Sequence, residues 1–221
     1  VVSLIDKNGQ NPAFSSYLSG KTLQSQGQYK DAIDQYRLAL KANPDLGRAL
    51  EGLTVSYMRL DQEKELLAYL KEFKAINPKN MMVLSILATM HTRRGDHTAA
   101  INVLEQGLAE DSSWVQGYTA LASSYRANND FQAAIESYER GLIALPNSGL
   151  IKMLLASSYE KVGNKAAALK LYEEVLETNP DHQVVANNLA SLLIDDFESK
   201  ANIKRAVKLS ERFADSENPY F

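Results

Sequence analysis

The composition of the chain excludes several functional classes before any motif is considered. Its 221 residues carry 24 Lys and Arg against 27 Asp and Glu, giving a net charge of −3, whereas nucleic-acid binders usually carry a basic excess. The chain has no Cys, which excludes a disulfide framework, a thiolate metal site and a cysteine nucleophile. Because the net charge is acidic, we expect no nucleic-acid partner.

No apolar segment is long enough to cross a bilayer, which requires about 18 residues. The most apolar window runs from Met81 to Met90, is about half that length and is interrupted by Ser85 and Thr89. We therefore expect no direct membrane insertion. Because the chain begins with Val1 rather than Met, we interpret it as a piece of a longer protein. Its location stays open between the cytoplasm and the bacterial periplasm or envelope.

The chain repeats itself at a spacing of 34 residues. Four of the six prolines fall on this spacing, and Ser112 stands at the position between the two pairs. Residues that tolerate the left-handed turn conformation form a second column. The prolines are Pro44, Pro78, Pro146 and Pro180, and the turn column is Gly27, Asp61, Gly95, Asn129 and Gly163. Columns in phase of this kind indicate tandem structural repeats.

Within each repeat the apolar residues follow helical spacing. Two stripes lie on either side of the turn at 128–130, and each has the i, i+3, i+4 spacing of one helix face. They are Tyr118, Leu121, Ala122 and Tyr125, then Phe131, Ala134, Ile135, Tyr138 and Leu142. Small residues such as Gly20, Ala122 and Gly141 stand where helices would have to approach closely. Each repeat is therefore predicted to be a helix, a short turn and a second helix that ends near a proline.

This pattern resembles the tetratricopeptide repeat, in which Leu, Gly or Ala, and Tyr mark the first helix, and Ala, an aromatic residue, Ala and Pro mark the second. The resemblance implies an all-α, right-handed superhelical solenoid of antiparallel helix pairs. In chain order the repeats are predicted at 13–46, 47–80, 81–114, 115–148, 149–182 and 183–221, with residues 1–12 as the tail of a preceding helix. The pentatricopeptide repeat, which reads RNA, has a longer period, and the acidic net charge also counts against it.

Two repeats depart from the pattern. The second carries Leu66, Leu70 and Phe73 in place of smaller or aromatic residues, so that its second helix is expected to be shifted or bulkier. In the sixth, Ala206 falls 38 residues after Ala168, which places a short insertion within 195–202 and predicts a longer turn. Neither end resembles a polar capping helix, and the apolar residues at both ends suggest truncated ends through which self-association is an alternative function. These residues are Val1, Val2, Phe213, Tyr220 and Phe221.

We find no residues with the spacing of an active site. The sequence lacks a glycine-rich phosphate loop, an HExxH pair and a nucleophile elbow. The histidines His91 and His97 fall in columns of packing residues, and His182 has no evident partner. An acidic segment at 195–198 lacks calcium-loop spacing and is read as a solvated loop. We therefore predict no enzymatic activity, no cofactor and no metal site.

The resemblance implies that the first helix of each repeat lines a concave groove. Two kinds of side chain at the groove positions suit a protein partner. A row of cations would attract an acidic segment or a terminal carboxylate; the alternative is that these cations only form a solvated helix face. Exposed apolar and aromatic groups would contact the same partner; the alternative is that they pack against neighbouring repeats. The predicted partner-binding residues are Phe14, Tyr17, Lys21, Arg48, Met58, Arg59, Met82, Arg93, Arg126, Met153, Lys161 and Asn187.

The leading functional hypothesis is a non-catalytic scaffold that binds a peptide segment or a partner helix in the concave groove, with an acidic segment as the candidate that the cation row suggests. The carboxylate clamp of some co-chaperones is absent, because Tyr17 and Lys21 stand where that clamp begins with Lys and Asn. One alternative is a regulatory or substrate-presenting arm of a larger enzyme or of a secretion or polysaccharide-export complex. The other is self-assembly through the solenoid ends. The last repeat is similar to end repeats of bacterial envelope and exopolysaccharide-associated tetratricopeptide proteins.

Overall fold

The structure, a computed structural model, describes residues 11–197 and 199–211, and within these ranges it contains twelve α-helices and no strand. The helices follow one another in six pairs. Their bounds are α1 Pro12–Ser25, α2 Tyr29–Ala42, α3 Gly47–Arg59, α4 Glu63–Ile76, α5 Met81–Arg93, α6 His97–Glu110, α7 Val115–Ala127, α8 Phe131–Ala144, α9 Gly149–Lys161, α10 Lys165–Thr178, α11 Gln183–Asp195 and α12 Lys200–Glu211. The all-α fold class is confirmed.

Left-handed residues end the first helix of each of the first five pairs. The backbone φ is +77° at Gly27, +54° at Asp61, +75° at Gly95, +60° at Asn129 and +82° at Gly163. This conformation reverses the chain within a three-residue turn and costs least for Gly and Asn. The prediction made from this column is confirmed.

Polar side chains cap many of the helix starts. Asn80 Oδ1 accepts a hydrogen bond from the Val83 amide at 3.0 Å, and Asp130 Oδ1 accepts one from the Ala133 amide at 3.0 Å. Such caps satisfy amides that have no partner inside the helix. Helix starts are therefore encoded locally, which is why the pairs keep to the 34-residue spacing.

The described residues divide into two compact units, and the first ends at Asp111 and contains helices α1–α6. Its core comes from the inward faces of these helices and contains fully buried leucines on α2, α3 and α4. Gly20 on α1 and Gly52 on α3 both contact the ring of Tyr36 from α2. A Cβ at Gly52 would lie only 2.3 Å from the Tyr36 ring, so glycine is required where this ring is wedged between α1 and α3.

The second unit begins at Ser112 and contains helices α7–α12. Tyr172 and Val175 of α10 are buried against α11, where Leu189 and Leu193 face them. Gly141 of α8 lies against the ring of Tyr118 and the end of Ile151, at 3.0 Å from each for an added Cβ. Small residues thus permit close helix packing in this unit too, as the sequence predicts.

The second repeat differs from the others in the size of its core side chains and not in the position of its second helix. Helix α4 keeps the 34-residue step from α2, while Leu66, Leu70 and Phe73 are all buried in the core of the first unit. The core accommodates these larger side chains. Helix α4 is therefore bulkier than its counterparts and is not shifted.

The insertion in the sixth repeat is divided between the segment that joins α11 to α12 and helix α12 itself. Four residues separate these two helices, one more than separate the helices of the other pairs. Ala206 is buried, although it lies about one helical turn further along its helix than Ala168 does. A shift of one turn keeps a residue on the same helix face, so the core contact is preserved. The ends of the chain, with Val1, Val2, Phe213, Tyr220 and Phe221, lie outside the described residues.

Candidate functional site

A cavity of about 520 Å³ opens between α1 and α3 in the first unit. We call it the α1–α3 groove. Its walls combine two cations, one carboxylate, one amide, two tyrosines and an exposed valine. The lining residues are Tyr17, Lys21, Gln24, Tyr36, Arg48, Glu51, Gly52 and Val55.

The helical repeat places these side chains on facing walls. On α1 the residues Tyr17, Lys21 and Gln24 are spaced i, i+4, i+7, and on α3 the residues Arg48 and Val55 are spaced i, i+7. Both spacings select a single helix face. The floor comes from α2, whose Tyr36 reaches between the two glycines described above. The groove is therefore built by three helices of two successive repeats.

A hydrogen-bond network holds the floor of the groove. The Tyr36 hydroxyl donates to Gln24 Oε1 at 2.9 Å, and Gln24 Nε2 donates to the Gly52 carbonyl at 3.1 Å and to Ser56 Oγ at 3.2 Å. Ser56 is fully buried, and its hydroxyl donates in turn to the Gly52 carbonyl at 2.8 Å. Fully satisfied networks of this kind rigidify the groups that form them. Gln24 is thus held in one orientation between α1 and α3.

The charges of the groove are exposed above this fixed floor. Lys21 and Arg48 stand on opposite walls, and both are exposed, as is Glu51. Within residues 11–197 and 199–211, no ion pair joins Lys21 or Arg48 to a carboxylate. Burial, together with the neighbouring Tyr17, raises the pKa of Tyr36, so its hydroxyl stays a hydrogen-bond donor at neutral pH. The groove thus offers two cations and an aromatic wall to a ligand.

The structure brings together three of the predicted partner-binding residues in this groove, namely Tyr17, Lys21 and Arg48. Phe14 lies beside them, with its ring centroid 5.9 Å from that of Tyr17, and it is 47% exposed. Its exposure extends the apolar wall of the groove toward the start of α1.

The methionines lie mostly among packing residues. Met58 and Met82 are partly buried against the core of the first unit, and Met153 has the same relation to the core of the second. Met82 also fills the space beside Gly47, where an added Cβ would meet its sulfur at 2.9 Å. Asn187 is partly buried on α11. These side chains offer less surface to a partner than Phe14 does.

The predicted row of cations lies at helix ends. Arg59, Arg93, Arg126 and Lys161 each stand in the last turn of α3, α5, α7 and α9, where the helix dipole favours positive charge. All four are exposed. Arg126 also forms a hydrogen bond with the Tyr138 hydroxyl, whose pKa burial raises and Arg126 lowers in part. Local helix stabilisation therefore accounts for their spacing without a ligand.

In the second unit, Arg126 and Lys161 line one small cavity of about 20 Å³. Phe131 and Val162, each 54% exposed, lie beside them. This volume holds about one water molecule. The cations and apolar groups of this cavity therefore form a surface patch and do not enclose a ligand site.

Tyr36, on the floor of the groove, is one of the lining residues that the sequence analysis missed. It belongs to a further column at the same spacing, with Tyr138 and Tyr172, and each of these hydroxyls contacts the residue twelve positions earlier. Those residues are Gln24, Arg126 and Glu160. The recurrence of Tyr at multiples of 34 is a signal that could have identified this column.

Most of the remaining candidates for chemistry have structural partners, whereas Nδ1 of His97 is buried and forms no hydrogen bond within the described residues. His91 Nδ1 lies 3.5 Å from a carboxylate oxygen of Asp96, and the His182 ring accepts a hydrogen bond from the Val185 amide at 3.4 Å. Asp196 pairs with Lys165 at 3.0 Å, whereas Glu198 lies outside the described residues. In the part of the chain that the structure describes, no three His, Asp or Glu side chains are grouped to hold a metal. No described helix has the length and apolarity of a membrane span.

Comparison with known proteins identifies the repeats. Three tetratricopeptide repeat family models match residues 15–46, 83–113 and 119–183, which together cover more than half of the chain. Photosystem I assembly protein Ycf3 from Synechococcus sp. (strain WH7803) is 29% identical over 99 residues, which are 43% of this chain and 57% of that relative. The chain thus aligns with little more than half the length of the curated relative it matches.

Solved structures share the fold at low sequence identity. A tetratricopeptide repeat protein from Parabacteroides merdae superposes with a TM-score of 0.61 and 15% identity, covering 95% of this chain and 82% of the other. PilF from Pseudomonas aeruginosa superposes with a TM-score of 0.61 and 15% identity, covering 91% and 90%. Together with the family models and the 34-residue columns, these matches show that the chain is an all-α solenoid of the tetratricopeptide repeat family.

Proposed function

We propose that this chain is a non-catalytic protein-interaction scaffold that binds a peptide segment carrying a carboxylate in the α1–α3 groove. One observation carries the proposal: Lys21 and Arg48 face one cavity from opposite walls, beside the aromatic ring of Tyr17 and the exposed Val55. Family membership supports the general role, since tetratricopeptide repeats commonly bind proteins.

The charges in the groove favour a segment with a single carboxylate. Arg48 can hold a carboxylate through two parallel hydrogen bonds, and Lys21 adds a second point charge. Glu51 on the same wall reduces the net charge of these three side chains to +1. A segment with several adjacent carboxylates would meet repulsion from Glu51. The apolar contacts of Tyr17, Val55 and Phe14 supply the remaining affinity.

The experiment is a selection of random 12-residue peptides displayed on phage, carried out on the whole chain. We expect the selected peptides to pair an Asp or Glu with a nearby aromatic or aliphatic residue. In a fluorescence-polarisation assay with a selected peptide, the double variant Lys21→Glu, Arg48→Glu should lower affinity about 100-fold.

The matched control is the double variant Lys30→Glu, Lys71→Glu, which makes the same change in charge at exposed lysines of α2 and α4 outside the groove. It should retain binding within about threefold, since exposed charges act weakly at a distance. Selected peptides without acidic residues, or equal losses in both double variants, would contradict the proposal. Circular dichroism of both variants establishes that the helices persist.

The cation row at the helix ends is a proposed extension of this surface. In the first unit, Arg59 and Arg93 stand one repeat apart and are both exposed. A longer acidic segment would reach these charges after filling the α1–α3 groove. Arg59→Glu, Arg93→Glu is therefore expected to weaken long acidic peptides and leave the short selected peptides unaffected.

A second candidate function is an arm in the assembly of a larger complex. The observation in its favour is the partial match to a protein named as an assembly factor for photosystem I. Self-assembly is the third candidate, because Ile203 and Val207 form an exposed apolar pair on α12. Light scattering over a range of protein concentrations separates these, since only self-assembly predicts oligomers of the isolated chain.

A further inference from the structure

A second groove lies between α2 and α4 in the first unit, with a cavity of about 360 Å³. We call it the α2–α4 groove. It is formed by second helices of successive repeats and shares no lining residue with the α1–α3 groove. Its apolar lining includes Leu40, Pro44, Tyr69, Phe73 and Ile76. A volume of this size is sufficient to hold a small ligand or a few side chains.

The departures of the second repeat build this groove. Phe73 stands at a position where other repeats carry the smaller residues Ala39, Gly107, Gly141 and Val175, and its ring lies 5.8 Å from that of Tyr69. The two rings form an aromatic wall on α4. The large side chains that distinguish this repeat in the sequence therefore form one wall of an apolar recess between α2 and α4.

The rim of the groove carries an apolar residue that the fold does not use. Ile76 is 79% exposed, whereas the equivalent positions in the other repeats hold small or polar residues: Ala42, Glu110, Ala144 and Thr178. Burying an exposed isoleucine against a ligand is favourable, since apolar surface leaves water.

The neighbouring junction of second helices in the same unit is closed by a polar contact. There, Lys74 of α4 donates to Gln106 of α6 at 2.6 Å. One repeat earlier, the positions of this pair are occupied by Leu40 and Glu72, both lining residues of the α2–α4 groove. A leucine cannot make the polar bridge, so the groove stays open at this junction.

Cations line the α2 wall of the groove. Arg37 lies over the Tyr69 ring at 4.8 Å and donates to the Tyr57 hydroxyl at 2.5 Å. Lys41 lies one helical turn further along α2. Stacking on Tyr69 and the bond to Tyr57 hold the guanidinium in place, while Arg has five N–H donors in all. Arg37 is therefore pre-positioned to donate to a carboxylate above the apolar recess.

We propose that the α2–α4 groove is a second binding site, for a peptide segment with an aromatic or aliphatic anchor next to a carboxylate. The anchor packs on Phe73, Tyr69 and Ile76, and the carboxylate pairs with Arg37 and Lys41. Glu72 on the α4 wall orients the segment, because it repels the acidic group toward α2. This site makes the first unit bivalent, with one ligand on each helix layer.

The test uses a defined probe, the peptide acetyl-Glu-Leu-Phe-Glu-Leu-amide, titrated into the ¹⁵N-labelled whole chain and followed by NMR. We expect concentration-dependent shifts in the amides of α2 and α4 around Arg37, Tyr69 and Ile76. A second peptide, acetyl-Lys-Leu-Phe-Lys-Leu-amide, keeps the apolar anchors and reverses the charge. It should bind at least about tenfold more weakly, because it meets Arg37 and Lys41 with like charge.

Variants separate this site from the α1–α3 groove. Ile76→Glu should lower the affinity measured from the α2–α4 shifts about tenfold. The control is Ile143→Glu, which makes the same substitution at an isoleucine that is 82% exposed on α8. It should leave binding unchanged. Because both isoleucines are exposed, neither substitution is expected to disturb folding. Lys41→Glu, on the opposite wall of the groove, is an independent second test of the same loss of affinity.

The result that overturns the proposal is the absence of shifts in α2 and α4 at millimolar peptide, or equal effects of Ile76→Glu and Ile143→Glu. Equal binding of the acidic and basic peptides also overturns it. The variant Lys21→Glu, Arg48→Glu should leave the α2–α4 shifts intact. The failure of one groove is thereby distinguished from the failure of the other.

Discussion

Single side chains decide the packing of the α1–α3 groove. Tyr36 is buried, and its ring is flanked by Gly20 and Gly52 on the two facing helices. Its hydroxyl reaches Gln24, which in turn binds the Gly52 carbonyl. One residue thus serves both the core and the floor of the groove. Adding one methyl group at this point is therefore expected to disturb both the core and the floor of the groove.

The first prediction concerns Gly52→Ala. The added methyl would lie 2.3 Å from the Tyr36 ring, where a buried aromatic has little room to move. We expect the free energy of unfolding to fall by about 1–3 kcal/mol, as for other overpacked cores. Urea denaturation followed by circular dichroism measures this loss.

The control for this substitution is Gly149→Ala at the start of α9, where an added Cβ meets nothing within 4 Å. Since alanine restricts the unfolded chain more than glycine does, this change should raise stability by about 0.4–1 kcal/mol. A gain at Gly52 equal to that at Gly149 would show that helix propensity rather than crowding governs both.

At the scale of helices, the cap of α5 links two repeats. Asn80 is 8% exposed, and its Oδ1 accepts from the Val83 amide. Its Nδ2 donates to the Pro44 carbonyl at 2.9 Å and lies 3.3 Å from Asp45 Oδ1. One amide therefore begins α5 and also holds the turn between α2 and α3. This turn contributes Pro44 to the rim of the α2–α4 groove.

The second prediction is that Asn80→Ala costs about 2 kcal/mol of unfolding free energy, the sum of a lost cap and a lost buried hydrogen bond. Guanidinium denaturation provides the measurement. Ser148→Ala is the comparison, since Ser148 caps α9 through one bond of 3.4 Å. It should cost about 0.5 kcal/mol, at the low end for caps. Equal costs would mean that the link to Pro44 contributes nothing.

At the scale of the whole chain, buried tyrosines make stability dependent on alkaline pH. Burial raises the pKa of Tyr69 to about 12, and burial with the Glu139 carboxylate raises that of Tyr159 to about 12. In the unfolded chain both hydroxyls titrate near 10. A raised pKa in the folded state means that folding favours the neutral form. The stabilisation is therefore complete below pH 10 and is lost as the pH rises from about 10 to 12.

The third prediction follows from this sign. The melting temperature should be constant from pH 8 to 9.5 and should fall steeply above pH 10, together with tyrosinate absorbance at 295 nm. The double variant Tyr69→Phe, Tyr159→Phe keeps the rings and removes the two hydroxyls, so its melting temperature should fall less between pH 10 and 11.5. An identical fall in the variant would show that Tyr69 and Tyr159 do not cause it, and would leave the other buried tyrosines, such as Tyr36 and Tyr138, and the lysines as its source.

The repeat architecture could be read from the sequence because it depends on local rules. Helical spacing of apolar residues, left-handed residues such as Gly27 and Asn129, and helix-capping side chains each act within a few positions of the chain. Because these local signals recur every 34 residues, each repeat supports the helix assignment made for the others. This is why the all-α class and the left-handed turns could be predicted correctly.

The candidate sites were accessible to sequence reasoning only in part. The resemblance to the tetratricopeptide repeat implied that Tyr17, Lys21 and Arg48 line a groove, and the structure places all three around one cavity. The same reasoning gave equal weight to Met58 and Met82, which pack against the core of the first unit. A periodic pattern assigns a residue to a helix face. It does not say how much of that face the neighbouring helix covers.

The helix pairs and their turns follow from the order of residues alone, because hydrogen bonds and backbone preferences within a repeat specify them. The two grooves were decided by packing between repeats. Tyr36 lies on the floor of the α1–α3 groove because two glycines on different helices admit its ring, and the α2–α4 groove is open because Leu40 stands where the next repeat has a bridging lysine. Such outcomes depend on side-chain volumes that meet across helices distant in sequence, and only the tertiary structure brings them together.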